Sequence, residues 1–153
     1  MFKTHLAIGF LIGLFLIPIL GPRNDILFML IVLFGSALPD IDHPESKIGR
    51  KVKVVAFLFE HRGFFHSIFA VLLFYLLLLY YWVGAQFNVY VYAFVFGYLS
   101  HILSDAFTKE GIMPFHPLSK LRLNGFMRTG KQAEYIIFVI VCVVSLWKVF
   151  SIY

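Results

Sequence analysis

The sequence predicts an all-α fold: a polytopic membrane helical bundle of about five apolar helices. Three observations carry this. Hydrophobic residues make up 61% and charged residues 14% of the 153, whereas a soluble domain is about half apolar and a quarter charged. The apolar residues fall into five runs divided by turn-forming residues. No apolar/polar alternation of a strand type replaces them, and a helix satisfies its own backbone in lipid.

The first run spans about Leu6 to Leu20 and the second about Ile26 to Leu38. The third is Phe64 to Val83, the fourth Phe87 to Phe107 and the fifth Tyr135 to Phe150. A crossing helix takes about 20 residues, sometimes about 17. The third and fourth therefore qualify outright. The first, second and fifth are short and must borrow flanking residues or sit in a thinned bilayer; the first two can also form a re-entrant hairpin. Lys3 ahead of an apolar run has the outline of a signal peptide. No small-residue cleavage site follows; Pro18, Gly21, Pro22 and Arg23 come instead, so the segment is expected to be kept. Gly21 to Asn24 read as a tight turn, with Asn24 able to cap the second helix. Gly84 to Asn88 joins the third and fourth runs. Val52 to Phe59 is apolar but too short to span and is expected along the interface or under the loop. No repeat, low-complexity tract or linker divides the chain, which reads as one domain over residues 1–153.

The net charge of +5 does not point to nucleic acid, because the basic residues sit between apolar runs, which is a topology pattern. With five spans, Lys3, Lys47, Arg50, Lys51, Lys53, Arg62, Lys109, Lys120, Arg122, Arg128 and Lys131 share one side, against Arg23 and Lys148 on the other. The positive-inside rule puts the crowded side in the cytoplasm. The N-terminus is then on the cytoplasmic side of the inner membrane and the C-terminus outside; a hairpin in place of the first two spans leaves this parity unchanged. Tyr80, Tyr81, Trp82, Trp147 and Tyr153 suit an outer aromatic belt. The single cysteine, Cys142, lies in an apolar run; it allows no intrachain disulfide and reads as a small apolar filler.

The ionisable residues collect where chemistry is expected. His5 opens the first helix, Asp40, Asp42 and His43 follow the second, His61 and His66 open the third, His101 and Asp105 close the fourth, and His116 lies in the next loop. All six histidines thus reach one membrane face, and ionisable groups at membrane depth are costly and usually functional. His101 and Asp105, four apart, share a helix face and can bind one metal, or make a simple helix-stabilising contact. Asp40 and Asp42 repel each other unless a cation or arginine neutralises them. His61 and His66, five apart, need not face the same way. H-E-x-x-H, H-x-x-E-H, Walker, dinucleotide-binding and G-x-S-x-G patterns are absent. Ser100 to Asp105 resembles one motif of lipid-phosphate phosphatases of the vanadate-peroxidase type, but the other motifs of that group are missing.

The ordered set Thr4-His5-Leu6-Ala7, Leu38-Pro39-Asp40-Ile41-Asp42-His43-Pro44, His61-Arg62-Gly63-Phe64-Phe65-His66-Ser67 and His101-Ile102-Leu103-Ser104-Asp105, with Thr108, Gly111 and Pro117 behind it, resembles the YdjM-like family over about residues 4 to 118. That family is described as LexA-regulated, membrane-bound, metal-dependent hydrolases, and the resemblance implies the same here. The order His, Asp, His, H-x-x-x-D is also similar to the ligand order of zinc phospholipase C and related nucleases. That likeness implies His5, Asp40, His66, His101 and Asp105 as metal ligands, with Asp105 as the bridge if two ions bind. The N-terminal amine ligand of those enzymes has no match, since Met1 precedes His5 by four residues; their further His and Glu ligands are unmatched too, although His116 can substitute. This leaves one or two ions of a divalent transition metal, expected to be zinc.

The implied chemistry is phosphoester hydrolysis on a membrane lipid or lipid-linked substrate. Asp42 or His61 would take a proton from water, and Arg62 would hold a phosphate oxygen or serve only as a topology-setting charge. The alternatives are a non-catalytic metal-binding membrane protein and a transporter. The expected partners are membrane lipids and not nucleic acid, and the sequence sets no oligomeric state.

Overall fold

The computed structural model of the protein describes residues 1–43, 62–81 and 85–152. Among these the secondary structure is helical, with two isolated β-bridges and no strand. The five α-helices are α1 (Phe2–Leu20), α2 (Asp25–Ala37), α3 (Ile68–Tyr81), α4 (Ala85–Ala106) and α5 (Gln132–Ile152). A 3-10 turn over Leu38–Asp42 follows α2, and a second over Phe64–His66 precedes α3.

The ends follow from local chemistry. α1 borrows the residues before Leu6 and reaches 19 residues, closing on Gly21 at φ 55, whose N–H donates to the Ile17 carbonyl. The Asn24 side chain caps α2 by accepting from the Leu27 N–H at 2.9 Å, as its position suggested. Pro39, which has no N–H to give, turns the chain from α2 into the 3-10 segment. The third run differs from expectation. It breaks at Ser67, which is extended (φ −104, ψ 160) and accepts from the Ala70 N–H at 3.3 Å, an N-cap role. The helix behind it is α3, with 14 residues.

Among the described residues two helices, α1 and α5, are long and apolar enough to cross a membrane. They come from runs expected to be short, and α5 gains its length by starting at Gln132. The longest helix, α4 with 22 residues, carries Asn88, Ser100, His101, Ser104 and Asp105 and lies at the centre. The Val52–Phe59 segment lies outside the described residues.

α2 packs most extensively on α4, α1 lies against α2, α4 and α5, and α3 adjoins α4. The α2–α4 contact is backbone on backbone: a Cβ built on Gly97 would lie 2.1 Å from the Val32 carbonyl oxygen, and one on Gly35 2.4 Å from that of Phe94. Small residues at such crossings let helices associate in lipid by close packing. Phe28 and Val32 of α2 meet Ile17 of α1 and Tyr90 and Ala93 of α4 in one buried cluster; Phe94, Tyr98 and Ile102 of α4 meet Ala70 of α3 and Ile112 in another. The outward faces remain apolar, with Ile136, Ile140, Val143 and Phe150 of α5 exposed.

One end of the bundle gathers the starts of α1, α3 and α5 and the finishes of α2 and α4. Thr4 near the start of α1 donates to Glu134 at the start of α5, 2.9 Å away. The connection over residues 107–131 folds back across this end through bridges Thr108–Met127 and Ile112–Leu123. It is tied to the start of the third run by bonds from the Ile68 N–H to the Pro114 carbonyl and from the Met113 N–H to the Arg62 carbonyl.

Candidate metal centre

Four segments meet beneath this cap. From α1, His5 Nε2 lies 3.3 Å from Asp105 Oδ1; from the second 3-10 turn, His66 Nε2 lies 3.3 Å from Asp105 Oδ2. His101, one turn before Asp105 on α4, sets its Nε2 3.7 Å from Asp105 Oδ2, 3.8 Å from Asp40 Oδ1 and 3.2 Å from His66 Nε2. All five residues are buried, and the rings of His5 and His101 stack at 3.9 Å between centroids. His5, His101 and Asp105 form one group and Asp40, His66 and His101 another, each offering ligand atoms within 4.8 Å of one another. Both groups can hold a metal ion.

The hydrogen bonds behind the rings fix what each ring presents. His101 Nδ1 lies 2.7 Å from the Ser36 carbonyl oxygen; a carbonyl only accepts, so Nδ1 carries the proton and Nε2 offers its lone pair. His66 Nδ1 faces Asp42 Oδ2 at 3.1 Å, and the same reasoning applies. Ser104 donates its hydroxyl proton to the His101 carbonyl at 2.8 Å and is left to accept from His5 Nδ1 at 2.7 Å. Three Nε2 atoms therefore aim at the Asp105 carboxylate with their outer nitrogens pinned, the arrangement in which outer hydrogen bonds orient imidazole ligands. Donors on one tetrahedral ion, each about 2.0–2.1 Å from it, sit about 3.3 Å apart, close to the spacing of His66, His101 and Asp105. The donor set fits a divalent cation.

Charge in the centre runs the same way. Burial pushes the Asp40 carboxyl above the usual carboxylate range, against the pull of His5 and His66. Burial acts to lower His66, but its hydrogen bonds to Asp105 and Asp42 outweigh that and raise the imidazole to about 9. The buried carboxylates call for positive charge at His66 Nε2. A proton meets that demand, and so does a metal, whose binding displaces the proton.

Arg62 and Asp42 form the support. Arg62 adopts φ 61, a left-handed conformation that is uncommon for a residue with a side chain and concentrates at functional sites. The turn it makes with Gly63 sends the guanidinium inward. Its Nη2 reaches Asp105 Oδ1 at 3.4 Å and Glu110 Oε2 at 3.2 Å, and its Nη1 donates to Thr108 Oγ1 at 2.9 Å and to the Gly111 carbonyl at 3.3 Å. Asp42, fully buried, accepts from the Arg62 backbone N–H at 3.2 Å as well as facing His66. Asp40 and Asp42 thus diverge from one 3-10 turn, the first toward His101 and the second toward His66.

The structure brings together His5, Asp40, His66, His101 and Asp105, and places Asp42 and Arg62 directly behind them. Arg62, expected to hold a substrate phosphate, is committed here to Asp105 and the 107–131 connection. His61 lies outside the described residues. His43 and His116 belong to neither metal-capable group among the described residues. Sequence reasoning missed Ser36 and Glu110, and gave no role to Ser104 and Thr108, although both stand in the matching motifs. Ser104 had a local signal, one residue before Asp105 and three after His101, whereas the Ser36 carbonyl had none, because any residue supplies one.

Asp42→Asn is expected to lower metal affinity about 10- to 100-fold, the usual effect of losing the group that orients an imidazole ligand. Metal titration of the purified variant checks this, and wild-type affinity would leave Asp42 without a hold on His66.

A buried imidazole–carboxylate group able to hold a metal ion, closing one end of an apolar helical bundle, sets the class of the molecule. The chain belongs to the family of YdjM inner membrane proteins, which it matches over residues 1–152. It is 36% identical over 126 residues to the inner membrane protein YdjM of Escherichia coli, covering 75% of this chain and 63% of that one, with the same figures for YdjM of Shigella flexneri. It is 34% identical over 108 residues to the "uncharacterized protein YvsG" of Bacillus subtilis, covering 67% of this chain and 66% of that one. The chain thus spans slightly less than two thirds of the length of these curated relatives. No solved structure matches it.

Proposed function

We propose that the protein is a multi-pass inner-membrane hydrolase that uses one or two divalent metal ions, zinc by the mixture of imidazole and carboxylate ligands, to cleave phosphoester bonds in a membrane lipid or lipid-linked substrate. The observation that carries this reading is the convergence of His5, His66 and His101 Nε2 on the two Asp105 oxygens, with every outer ring nitrogen already pinned. When bound, the ion supplies Lewis-acid chemistry: it makes water acidic near neutrality and polarises a phosphoryl oxygen. His5, Asp40, His66, His101 and Asp105 hold it. Asp42 keeps His66 in its ligating tautomer, and Arg62 holds Asp105 in place. His61, adjacent to Arg62 in sequence, is the imidazole proposed to accept the proton of water. The non-catalytic reading keeps the same ligands. A transporter is disfavoured because the described core beyond the centre is apolar, built by Ile17, Phe28, Val32 and Ala93.

All five helices cross in this reading, and the metal centre sits at the cytoplasmic face. Among the described residues Lys3, Arg62, Lys109, Lys120, Arg122, Arg128 and Lys131 lie at the end with the centre, against Arg23 and Lys148 at the other, which is the positive-inside pattern. A fluorescent-protein fusion at the N-terminus is expected to report the cytoplasm, and an alkaline phosphatase fusion at the C-terminus to be active outside. Both ends on one side would remove the five-span arrangement. Hydrolysis is tested by screening metal-loaded protein for headgroup release from mixed phospholipids with and without chelator. Chelator-sensitive release is expected, and none from any lipid would leave the non-catalytic reading.

A further inference from the structure

We propose that α1 and α5 form a seat for one acyl chain of an anionic phospholipid, separate from the metal centre. An apolar groove enclosing about 630 Å3 runs between Leu6 and Phe10 of α1, Leu33 of α2, and Phe138, Cys142 and Leu146 of α5; ligand pockets span about 300–1,000 Å3. At its charged end it adjoins, through Lys3 and Phe138, a second hollow lined by Lys131. At the other end Phe10 and Val149 carry it into a smaller hollow that reaches Leu14 and Ile17. From Lys3 to Ile17 the trough is about 21 Å long at 1.5 Å per residue, longer than the roughly 15 Å half-thickness of a bilayer core. An extended acyl chain fits that length.

Charge selects the occupant. Lys3 and Lys131 are exposed at the mouth. Among the described residues the one carboxylate lining the mouth, Glu134, is already bound by the Thr4 hydroxyl, by the N-terminal ammonium at 3.1 Å and by the Gly130 N–H at 2.6 Å. Cations at the headgroup level above an apolar trough complement an anionic lipid over a zwitterionic one. The seat is not the substrate entrance of the metal centre, since Lys3, Leu6 and Phe10 share the α1 face toward α5, while His5 turns to Ser104 and Asp105 of α4.

The test is native mass spectrometry of the full chain in neutral detergent, titrated with phosphatidylglycerol, phosphatidylcholine or inorganic phosphate. One phosphatidylglycerol should bind about tenfold more tightly than phosphatidylcholine, with no competition from inorganic phosphate. The double variant Lys3→Gln, Lys131→Gln should bring the two lipids to parity, and Cys142→Trp, which fills the trough, should lose both. Metal content is read on the same samples; unchanged metal with altered lipid binding separates this seat from the metal centre. Equal binding of the two lipids by the wild-type protein, competition by inorganic phosphate, or undiminished lipid on Cys142→Trp would each overturn the proposal.

Discussion

Asp105→Asn is expected to purify without bound metal, with an affinity at least about 100-fold below wild type, beyond the range seen when only an orienting group is lost. Asparagine keeps the size of the side chain and removes the charge on which the centre turns. Both carboxylate oxygens are engaged, Oδ1 by His5 and Arg62 and Oδ2 by His66 and His101. The substitution therefore takes a donor from the His5, His101 and Asp105 group and removes the negative charge that faces His66 Nε2 of the other. Among the described residues it also leaves the buried Arg62 guanidinium with the more exposed Glu110 carboxylate alone as an anionic partner. Removing one member of a buried ion pair costs about 3–5 kcal/mol, so a fall in thermal stability should accompany the loss of metal. Elemental analysis and thermal unfolding of the same sample read the two effects. The order Asp105→Asn worse than Asp42→Asn separates a ligand from a group that orients one. An Asp105→Asn protein carrying its full metal load would sink the assignment.

The parts legible in the sequence were those set by short-range pattern. The turn at Gly21 to Asn24 and the cap by Asn24 depend on a few neighbouring residues, and they stand where the sequence put them. The gathering of His5, Asp40, His66, His101 and Asp105 at one end was legible because alternating apolar runs return the chain to the same face. The length of each helix was less legible, because hydropathy does not mark a cap inside an apolar run. Ser67 interrupts the third run by accepting from the Ala70 N–H, and α5 begins ahead of its first apolar residue. Arg62 shows the deeper limit. The sequence suggested a group that holds a phosphate oxygen or a topology-setting charge, but its backbone is left-handed and its partners Thr108, Glu110 and Gly111 arrive from a loop more than forty residues away. No local pattern encodes that meeting, nor the one between Gly35, Gly97 and the helix backbones they touch.

Gly97→Ala is expected to cause the largest loss of stability among single-methyl additions to the bundle, with loss of metal as its companion. The added Cβ would lie 2.1 Å from the Val32 carbonyl oxygen and 2.9 Å from its carbon. Both are backbone atoms inside α2, so no side-chain rotation relieves the clash and the helices must separate. Overpacking a well-filled site costs about 1–3 kcal/mol, occasionally more, and a backbone obstacle places this case at the upper end. Separation also reaches the centre, because the 2.7 Å bond that fixes the His101 tautomer ends on the Ser36 carbonyl, one turn along α2 from Val32. Gly13→Ala is the matched control. Its Cβ would approach Met29 Sδ at 2.8 Å and Cε at 2.9 Å, the far end of a flexible side chain that can move aside. Thermal unfolding in detergent and metal content should therefore fall sharply for Gly97→Ala and little for Gly13→Ala. Equal behaviour of the two variants would mean that the α2–α4 backbone contact does not hold the ligands in place.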